Sequence, residues 1–171
     1  MIINGKSLLK AKPFEEMESE KIRFQGTSYG LSEAGYDIRI KQDVKIEKRL
    51  YSSGEFWNVY LDGCLVDTNT KFALASTIEE FQMPFNLVGK VHDKSTWARK
   101  RLSVFNTVIE PGWSGYLTLE LVNHGPNSIH LRRGMGIAQV VFHLLDQPTA
   151  EPYPADGKYQ HQEFGPVGPR S

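Results

Sequence analysis

The sequence predicts a mainly β fold, either a sandwich or a barrel, assembled from short strands. Runs rich in β-branched and aromatic residues recur along the 171-residue chain, at intervals of roughly 8–12 residues. Glycine and proline residues separate these runs, as they do in sheets that are joined by turns. Helical periodicity is scarce, so we expect strands to supply most of the regular structure.

Four predicted strands lie in the first part of the chain. Each contains aromatic or β-branched residues, which fit a pleated and half-buried surface. Their sequences are YDIRI (36–40), FWNVYL (56–61), KFALAST (71–77) and FNLVGKV (85–91). Turn residues separate them at Gly54, at Asp62-Gly63 and at Pro84.

Four more predicted strands follow in the second part. Their sequences are LSVFNTV (102–108), YLTLELVN (116–123), SIHLR (128–132) and GIAQVVFHLL (136–145). The residues that break the pattern between them are Pro111-Gly112, Gly125-Pro126 and Gly134. This regular spacing of strands and turns is what favours an all-β architecture.

One segment, DKSTWARKR (93–101), has a helical character instead. Asp93 or Ser95 is suited to cap the start of a short helix. Four basic residues make the segment cationic, and a helix start with nearby hydroxyl groups attracts anions. The alternative is an exposed basic turn without a ligand, since charged runs are usually solvated.

The chain ends in EPYPADGKYQHQEFGPVGPRS (151–171), which is rich in proline and glycine. Such a composition is typical of a flexible tail and not of a further strand. We therefore divide the chain into a β domain over residues 1–150 and a C-terminal tail over residues 151–171.

Composition limits the class of protein. Twenty basic and 20 acidic residues give a formal net charge of zero, which argues against a broad surface for polymeric nucleic acid. The stretch AQVVFHLL is too short to span a membrane, and the opening MIINGKSLLK lacks the apolar core of a signal peptide. The single cysteine, Cys64, forms no intramolecular disulfide and is expected to be a buried thiol. We expect a soluble, cytoplasmic protein without a membrane partner.

Several well-known catalytic motifs are missing. The zinc-deaminase pattern needs cysteines that this chain lacks, and H-E-x-x-H and the phosphate-binding P-loop are missing as well. The five histidines show no spacing typical of metal ligands, so we interpret them as structural or surface residues. The protein itself is therefore expected to bind no metal.

The strand GYLTLELVN (115–123) contains one residue that does not fit. Leu117, Leu119 and Leu121 alternate as a buried face requires, which places Glu120 on the other face. Glutamate is depleted in strands, and an unpaired carboxylate is costly to bury. Glu120 is therefore either a solvated or ion-paired residue, or a functional one.

A set of segments in fixed order resembles the dCTP deaminases, which belong to the trimeric dUTPase superfamily. The match extends over about residues 28–162, and the order and spacing of the segments make it specific. The segments are SYGLSEAGYDIRI (28–40), FALASTIEEFQMPFNLVGKV (72–91), KSTWAR (94–99), IEPGWSGYLTLELVN (109–123), GMGIAQVVF (134–142) and GKYQHQ (157–162).

This resemblance implies a distorted β-barrel or jelly-roll of the dUTPase-like (β-clip) type with one short helix. It implies a homotrimer, with three active sites between neighbouring subunits, and a C-terminal tail that closes over bound nucleotide. The implied reaction is hydrolytic deamination of dCTP to dUTP and ammonia at a C–N bond of a cyclic amidine. The resemblance implies no tightly bound cofactor, but Mg²⁺ accompanies the triphosphate.

The resemblance also assigns roles to single residues. Glu120 matches the general base and acid, because one carboxylate can activate the water and then protonate the leaving ammonia. Ser95 and Arg99 match residues that place the water and support charge at the reacting centre. The implied substrate contacts are Lys94, Thr96, Trp97 and Ala98 near the helix, Glu110, Trp113, Thr118 and Leu119 near the sugar and base, and Gln139, Tyr153, Lys158 and Gln162.

Two departures from the family pattern leave points open. Arg101 stands where the family commonly has glycine, and Val108 follows Thr107 where the family has proline or alanine. The second change affects a loop that the family uses to distinguish pyrimidines and to respond to dTTP. Inhibition of this protein by dTTP is therefore an open question.

Two other functions are compatible with the same residues. A bifunctional enzyme would also hydrolyse dUTP to dUMP and diphosphate, with Glu110 activating the second water. Trimeric dUTPases, which resemble this segment, carry an apolar residue at the position of Glu120, so its glutamate favours deamination. A catalytically silent nucleotide-binding trimer with a regulatory role is the third possibility, and the intact set of Ser95, Arg99 and Glu120 argues against it.

Overall fold

Strands form most of the regular structure, as the sequence predicts. The structure is a computed structural model that describes residues 1–170. The elements in this part of the chain are β1 (Ile2–Ile3), α1 (Gly5–Ala11), β2 (Lys21–Phe24), β3 (Thr27–Leu31), β4 (Tyr36–Arg39), β5 (Val44–Tyr51), β6 (Gly54–Leu61), β7 (Cys64–Thr68), β8 (Phe72–Gln82), β9 (Leu87–Asp93), α2 (Ser95–Ala98), β10 (Leu102–Val104), β11 (Val108–Ile109), β12 (Ser114–Asn123), β13 (Ile129–Leu131) and β14 (Gly136–Leu144).

The strands form three antiparallel sheets. The largest has the strand order β11-β9-β14-β4-β3-β2, with β1 paired to β14. A three-stranded sheet has the order β10-β12-β8, and a four-stranded sheet has the order β13-β5-β6-β7. Within residues 1–170 none of these sheets closes on itself. The predicted fold type is therefore present as three open sheets rather than as one closed barrel.

The core joins the largest sheet to the three-stranded sheet. Phe14 packs edge-on against Tyr36 of β4, with ring centroids 4.8 Å apart, and against Phe81 of β8, at 5.1 Å. All three rings are almost completely buried, and each large aromatic side chain removes on the order of 150–250 Å² from water. This packing fixes β4 beside β8, and β8 in turn pairs with β12.

A buried ion pair makes a second link between the same two sheets. The guanidinium Nε of Arg39 on β4 lies 2.8 Å from a carboxylate oxygen of Glu79 on β8. The other oxygen accepts the backbone N–H of Arg39 at 2.9 Å. Because the Glu79 side chain is only 1% exposed, loss of either partner would leave an uncompensated charge in the interior.

The strand predictions are largely confirmed, with two kinds of error. The predicted strand over 102–108 divides into β10 and β11, and these belong to different sheets. Five strands were not predicted, namely β1, β2, β3, β5 and β7. Strands such as β5 (VKIEKRLY) are rich in charged residues, since much of their surface lies outside the core.

The prediction of one short helix is wrong, because the described chain contains two. The predicted helix is present as α2, and α1 was missed. Neither Asp93 nor Ser95 caps α2, because Lys94 occupies the capping position without a side-chain bond. The Asp93 carboxylate instead accepts the N–H of Val104 at 2.7 Å.

Two further features bear on the composition analysis. Cys64 is exposed as the first residue of β7, so the expectation of a buried thiol is wrong. Neither helix among residues 1–170 has the length and apolar character that a membrane span requires. Cytoplasmic location stays a prediction.

Candidate active site

Strand β12 presents Glu120 to a cavity and not to open solvent. Leu119 and Leu121 are buried on one face, as the alternation predicts, whereas Leu117, at a bulge in the pairing of β12 with β8, is buried and also lines the cavity. Glu120 is half-buried on the opposite face, where its Cα partner across the sheet is Leu74 of β8. The rigid pairing of β12 with β8 fixes the position of the carboxylate.

The cavity beside Glu120 has a volume of about 520 Å³. Its walls come from β8, from the segment 107–113, from β12 and from the C-terminal tail. The lining residues are Phe72, Leu74, Thr107, Val108, Ile109, Glu110, Trp113, Leu117, Thr118, Glu120, Tyr153, Tyr159, Gln162, Val167, Gly168 and Pro169. A mostly apolar cleft of this size with a few polar groups is typical of a small-molecule site.

The Glu120 carboxylate is electrostatically unusual. Its Oε2 atom is buried and has no hydrogen-bond partner within residues 1–170. Burial raises the pKa of this carboxyl above its ordinary value, and a backbone hydrogen bond opposes that shift. An unpaired carboxylate with a raised pKa is suited to take up and return a proton.

Glu110 and Trp113 lie on a tight turn at the edge of this cavity. The backbone N–H of Trp113 donates to the carbonyl of Glu110 at 3.1 Å, so the two residues are held close together. Glu110 is exposed, whereas Trp113 is 5% exposed and its indole N–H donates to the carbonyl of Tyr159 at 2.7 Å. Trp113 is thus both a core residue and part of the cavity wall.

The C-terminal tail is bound along β12. The Thr118 hydroxyl donates to Oε1 of Gln162 at 3.0 Å and accepts the N–H of Val167 at 3.0 Å. The N–H of Tyr116 donates to the carbonyl of Gln162, also at 3.0 Å. These bonds bring residues 167–169 to the cavity that contains Glu120.

Two other tail residues that the sequence singled out occupy different environments. The N–H of Tyr153 donates to the carbonyl of Pro111 at 2.8 Å, and its ring lines the cavity. Lys158 has an exposed side chain that does not line the cavity, and its carbonyl accepts a bond from Arg170 at 2.9 Å.

The structure thus brings together part of the predicted site. Residues that share the cavity are Glu110, Trp113, Thr118, Glu120, Tyr153 and Gln162. Leu119 is 1% exposed and its side chain belongs to the core, so only its backbone remains available for a substrate contact. Thr107 and Val108, the residues at the second departure from the family pattern, line the same cavity.

The helix residues do not line this cavity. Ser95, Ala98 and Arg99 are exposed and Thr96 is half-buried. Arg99 borders a separate cavity of about 410 Å³, together with Lys100, Arg101 and the loop 125–129. A single chain therefore does not join Ser95 or Arg99 to Glu120, and the predicted homotrimer with sites between subunits stays a prediction.

Trp97 packs into the interior from α2. It is 3% exposed, and its indole N–H donates to the carbonyl of Gly136 at 2.8 Å. The Trp97 side chain therefore anchors the helix, and only the backbone of this residue is available for a substrate contact.

Lys94 and Gln139 also have protein partners. The Lys94 ammonium is paired with Asp37 and lies 3.2 Å from the hydroxyl of Ser28. The amide of Gln139 donates to Oδ1 of Asp37 at 3.3 Å and to the hydroxyl of Ser32 at 2.8 Å. These two predicted substrate contacts thus belong to one polar network away from the Glu120 cavity.

Several cavity residues were missed by sequence reasoning. Phe72 and Leu74 face the cavity because β8 pairs with β12, and the register of that pairing is not visible in the sequence. Tyr159 and residues 167–169 reach the cavity through the folded tail. Within residues 1–170 no group of three or more His, Cys, Asp or Glu side chains is placed to hold a metal ion.

Comparisons with solved structures identify the type of fold. A solved 2′-deoxycytidine 5′-triphosphate deaminase from Agrobacterium tumefaciens superposes with a TM-score of 0.55 at 15% identity, covering 84% of this chain and 47% of that one. The native dUTPase of EIAV superposes with a TM-score of 0.51 at 19% identity, covering 85% and 94%. These likenesses establish a dUTPase-like fold.

The sequence comparisons are more specific. A curated dCTP deaminase from Gemmatimonas aurantiaca is 37% identical over 158 residues, which is 86% of this chain and 85% of the relative. One from Roseiflexus castenholzii is 37% identical over 167 residues, covering 91% and 89%. The sequence pattern of the family described as dCTP deaminase-like matches residues 9–145. The chain therefore belongs to the dCTP deaminase-like family.

Proposed function

We propose that this protein deaminates dCTP to dUTP by hydrolysis. The observation that carries the proposal is the half-buried, unpaired carboxylate of Glu120, which lies at a cavity large enough for a nucleoside. Curated relatives at 37% identity are named dCTP deaminase. A mostly apolar cavity with a proton-accepting group suits an uncharged pyrimidine ring.

Glu120 performs both proton transfers of the proposed reaction. It removes a proton from water as the water oxygen bonds to C4 of cytosine, which gives a tetrahedral intermediate. It then delivers that proton to the amino nitrogen, the C4–N bond breaks and ammonia leaves. The hydroxyl proton of the intermediate passes to N3 of the ring as the C4 carbonyl forms, which gives uracil. The raised pKa of Glu120 supports this cycle, because a weaker acid retains the proton until the leaving group needs it.

Ser95 and Arg99 complete the site from a neighbouring subunit in this proposal. Ser95 begins α2 and Arg99 directly follows its last residue. Both are exposed and neither lines the cavity of its own chain, which is the arrangement that a site shared between subunits requires. Ser95 places the attacking water, and the Arg99 guanidinium stabilises negative charge that develops at the reacting centre. The assembly is a homotrimer.

The base and sugar are bound by residues of the cavity. The backbone of Thr118 and Leu119 reads the polar edge of cytosine, since a backbone group left unpaired in a closed site is costly. Glu110 accepts a hydrogen bond from the sugar 3′-hydroxyl, and Trp113 packs against the sugar. Both side chains line the cavity that contains Glu120.

The triphosphate is bound outside the apolar cavity by polar and basic groups. We assign this role to Thr96, Gln139 and Lys158, with the backbone of residues 97–98 and with Mg²⁺ carried by the nucleotide, while Tyr153 contacts the nucleotide from the wall of the cavity. Residues 151–171 close over the bound nucleotide, and the bonds of Gln162 and Val167 to Thr118 support that arrangement.

Product analysis tests this proposal directly. The purified protein is incubated with dCTP and Mg²⁺, released ammonia is measured, and the nucleotides are separated by chromatography. We expect one ammonia for each dUTP formed. Accumulation of dUMP and diphosphate would instead identify the bifunctional enzyme, and binding of dCTP without any ammonia would refute the proposal in favour of a silent binding protein.

A further inference from the structure

We propose that Asp37 is a positioning residue for this reaction: it holds Lys94 and thereby orients the helix that carries Ser95 and Arg99. The inference deepens the proposed function, because it concerns the geometry of the same site. It rests on a buried polar network that lies at the joint between β9 and α2, opposite β4 and β14.

Asp37 is the centre of that network. It is 2% exposed and lies on β4. Its Oδ2 atom accepts bonds from the Lys94 ammonium and, at 3.4 Å, from the hydroxyl of Ser28. Its Oδ1 atom accepts the amide of Gln139 at 3.3 Å, and Gln139 is also its Cα partner across the sheet. Both oxygens are therefore engaged.

Burial makes this contact a geometric constraint. The side chains of Lys94 and Asp37 are 11% and 3% exposed, so neither charge has ready access to water. A buried charge without its partner is strongly disfavoured. Lys94 therefore stays paired with Asp37.

Lys94 is also the residue on which α2 begins. Its carbonyl accepts the N–H groups of Trp97 at 2.9 Å and of Ala98 at 3.0 Å. No side chain caps the helix, and the helix has only four residues, far fewer than an isolated helix needs for stability. Its direction thus depends on two anchors, the Lys94–Asp37 pair and the bond from Trp97 to Gly136.

Ser95, the first residue of that helix, and Arg99, the residue that follows its end, are both exposed. A small rotation of α2 would displace both residues from the reacting centre. Misplacement by about 1 Å can lower a rate on the order of 100-fold. Asp37 does not touch the substrate in this account, and it acts through Lys94.

Asp37→Asn is the main test, because it keeps the shape of the side chain and removes its charge. We expect kcat for dCTP to fall on the order of 100-fold while the variant remains folded. Lys94→Met should give a similar loss. If Asp37 acts through Lys94, adding Asp37→Asn to Lys94→Met should lower kcat by no more than about twofold. Losses that multiply in the double variant would overturn the proposal.

Glu79→Gln is the matched control. Glu79 is also a buried carboxylate, and it is paired with Arg39 of the same strand as Asp37. It contacts neither Lys94 nor Gln139, so the variant should lose stability without losing kcat when measured well below its melting temperature. An equal loss of kcat in Glu79→Gln would show that any disturbance of β4 is enough to lower kcat. That result would overturn a specific role for Asp37.

Hydrogen exchange gives a readout that does not depend on activity. We expect the amides of Trp97 and Ala98 to exchange faster in Asp37→Asn but not in Glu79→Gln, because only the first variant releases Lys94. If the wild type releases no ammonia, the proposed function fails and this exchange experiment still tests Asp37. Unchanged exchange in Asp37→Asn, or in Lys94→Met should the first variant not fold, would overturn the inference.

Discussion

The backbone of Gln162 lies directly against Gly115, so that a methyl group on Gly115 would meet the Gln162 nitrogen at 2.5 Å. The next residue, Tyr116, donates its N–H to the carbonyl of Gln162 at 3.0 Å. A strand residue without a side chain therefore lets the C-terminal tail dock on β12, next to the cavity that contains Glu120.

Gly115→Ala should displace the tail from β12. The added methyl has no room, and at φ +128° an L-residue is also strained. We expect KM for dCTP to rise about tenfold, which corresponds to about 1.4 kcal/mol of lost binding, with a smaller change in kcat. Steady-state kinetics measures both constants.

Gly54→Ala is the control for the tail experiment. Gly54 has nearly the same backbone angle, φ +131°, but a methyl there meets nothing within 4 Å. This variant should reproduce the backbone strain without the contact, so its KM should remain near that of the wild type. Equal KM values in the two alanine variants would contradict the role of the Gly115–Gln162 contact.

Arg101→Gly should stabilise the protein. Arg101 has φ +63°, a left-handed conformation that costs an L-residue roughly 1–2 kcal/mol. Glycine avoids this cost, but its greater freedom in the unfolded chain offsets part of the gain in stability. We expect a net gain of about 0.5–1 kcal/mol in the free energy of unfolding, measured by denaturant titration. Lys100→Gly, one residue earlier in a helical turn, should instead be destabilising.

Lys41 should make stability depend on pH in the alkaline range. It is 5% exposed, its ammonium has no hydrogen-bond partner within residues 1–170, and the rings of Tyr116 and Phe164 cover it. Burial lowers the pKa of Lys41 from 10.5 to about 8. The positive charge of Arg133 lowers this pKa further by a smaller amount, and the negative charge of Glu80 opposes the shift.

The sign follows from proton binding by the two states. Between pH 8 and 10.5 the unfolded chain binds more protons at Lys41 than the folded chain, so stability should rise with pH through this window. Lys41→Met keeps most of the side-chain length but cannot titrate. Thermal melts of the two proteins should differ most at pH 7 and converge towards pH 10. A constant difference across that range would contradict the account.

Glu120 should lower stability at neutral pH. Burial raises its pKa above 4.5 in the folded state, so the folded protein binds the proton more tightly than the unfolded chain. The Glu120 carboxyl group therefore contributes favourably to the free energy of unfolding at low pH, and this contribution is lost as the pH rises through the folded-state pKa. Glu120→Gln should melt at a higher temperature than the wild type at pH 7, and the gap should shrink below pH 4.5. A variant that melts lower at pH 7 would contradict an unpaired, partly buried carboxylate.

Local pattern was enough to locate Glu120 and to predict its strand. The alternation of Leu117, Leu119 and Leu121 determines which face of β12 is buried, and this information lies within a few adjacent residues. The resemblance then supplied a role that alternation could not. The short helix was also predicted from adjacent residues, although its cap was not.

Long-range contacts could not be predicted in the same way. The partner of Lys94 is Asp37, which is 57 residues away, whereas the resemblance implies only a substrate contact for Lys94. The docking of Gln162 on Gly115 depends equally on tertiary structure. The left-handed backbone of Arg101 gives a physical reason why glycine would suit that position.

The rate of ammonia release by Glu120→Gln tests the central claim most directly. The variant keeps the size of the side chain and removes its ability to take up a proton, so dCTP binding measured by calorimetry should change little. Glu55→Gln, on the β5–β6 hairpin, controls for the same chemical change elsewhere. We predict that kcat falls by at least about 100-fold in Glu120→Gln and not in Glu55→Gln. A Glu120→Gln protein that releases ammonia from dCTP at the wild-type rate would contradict the account.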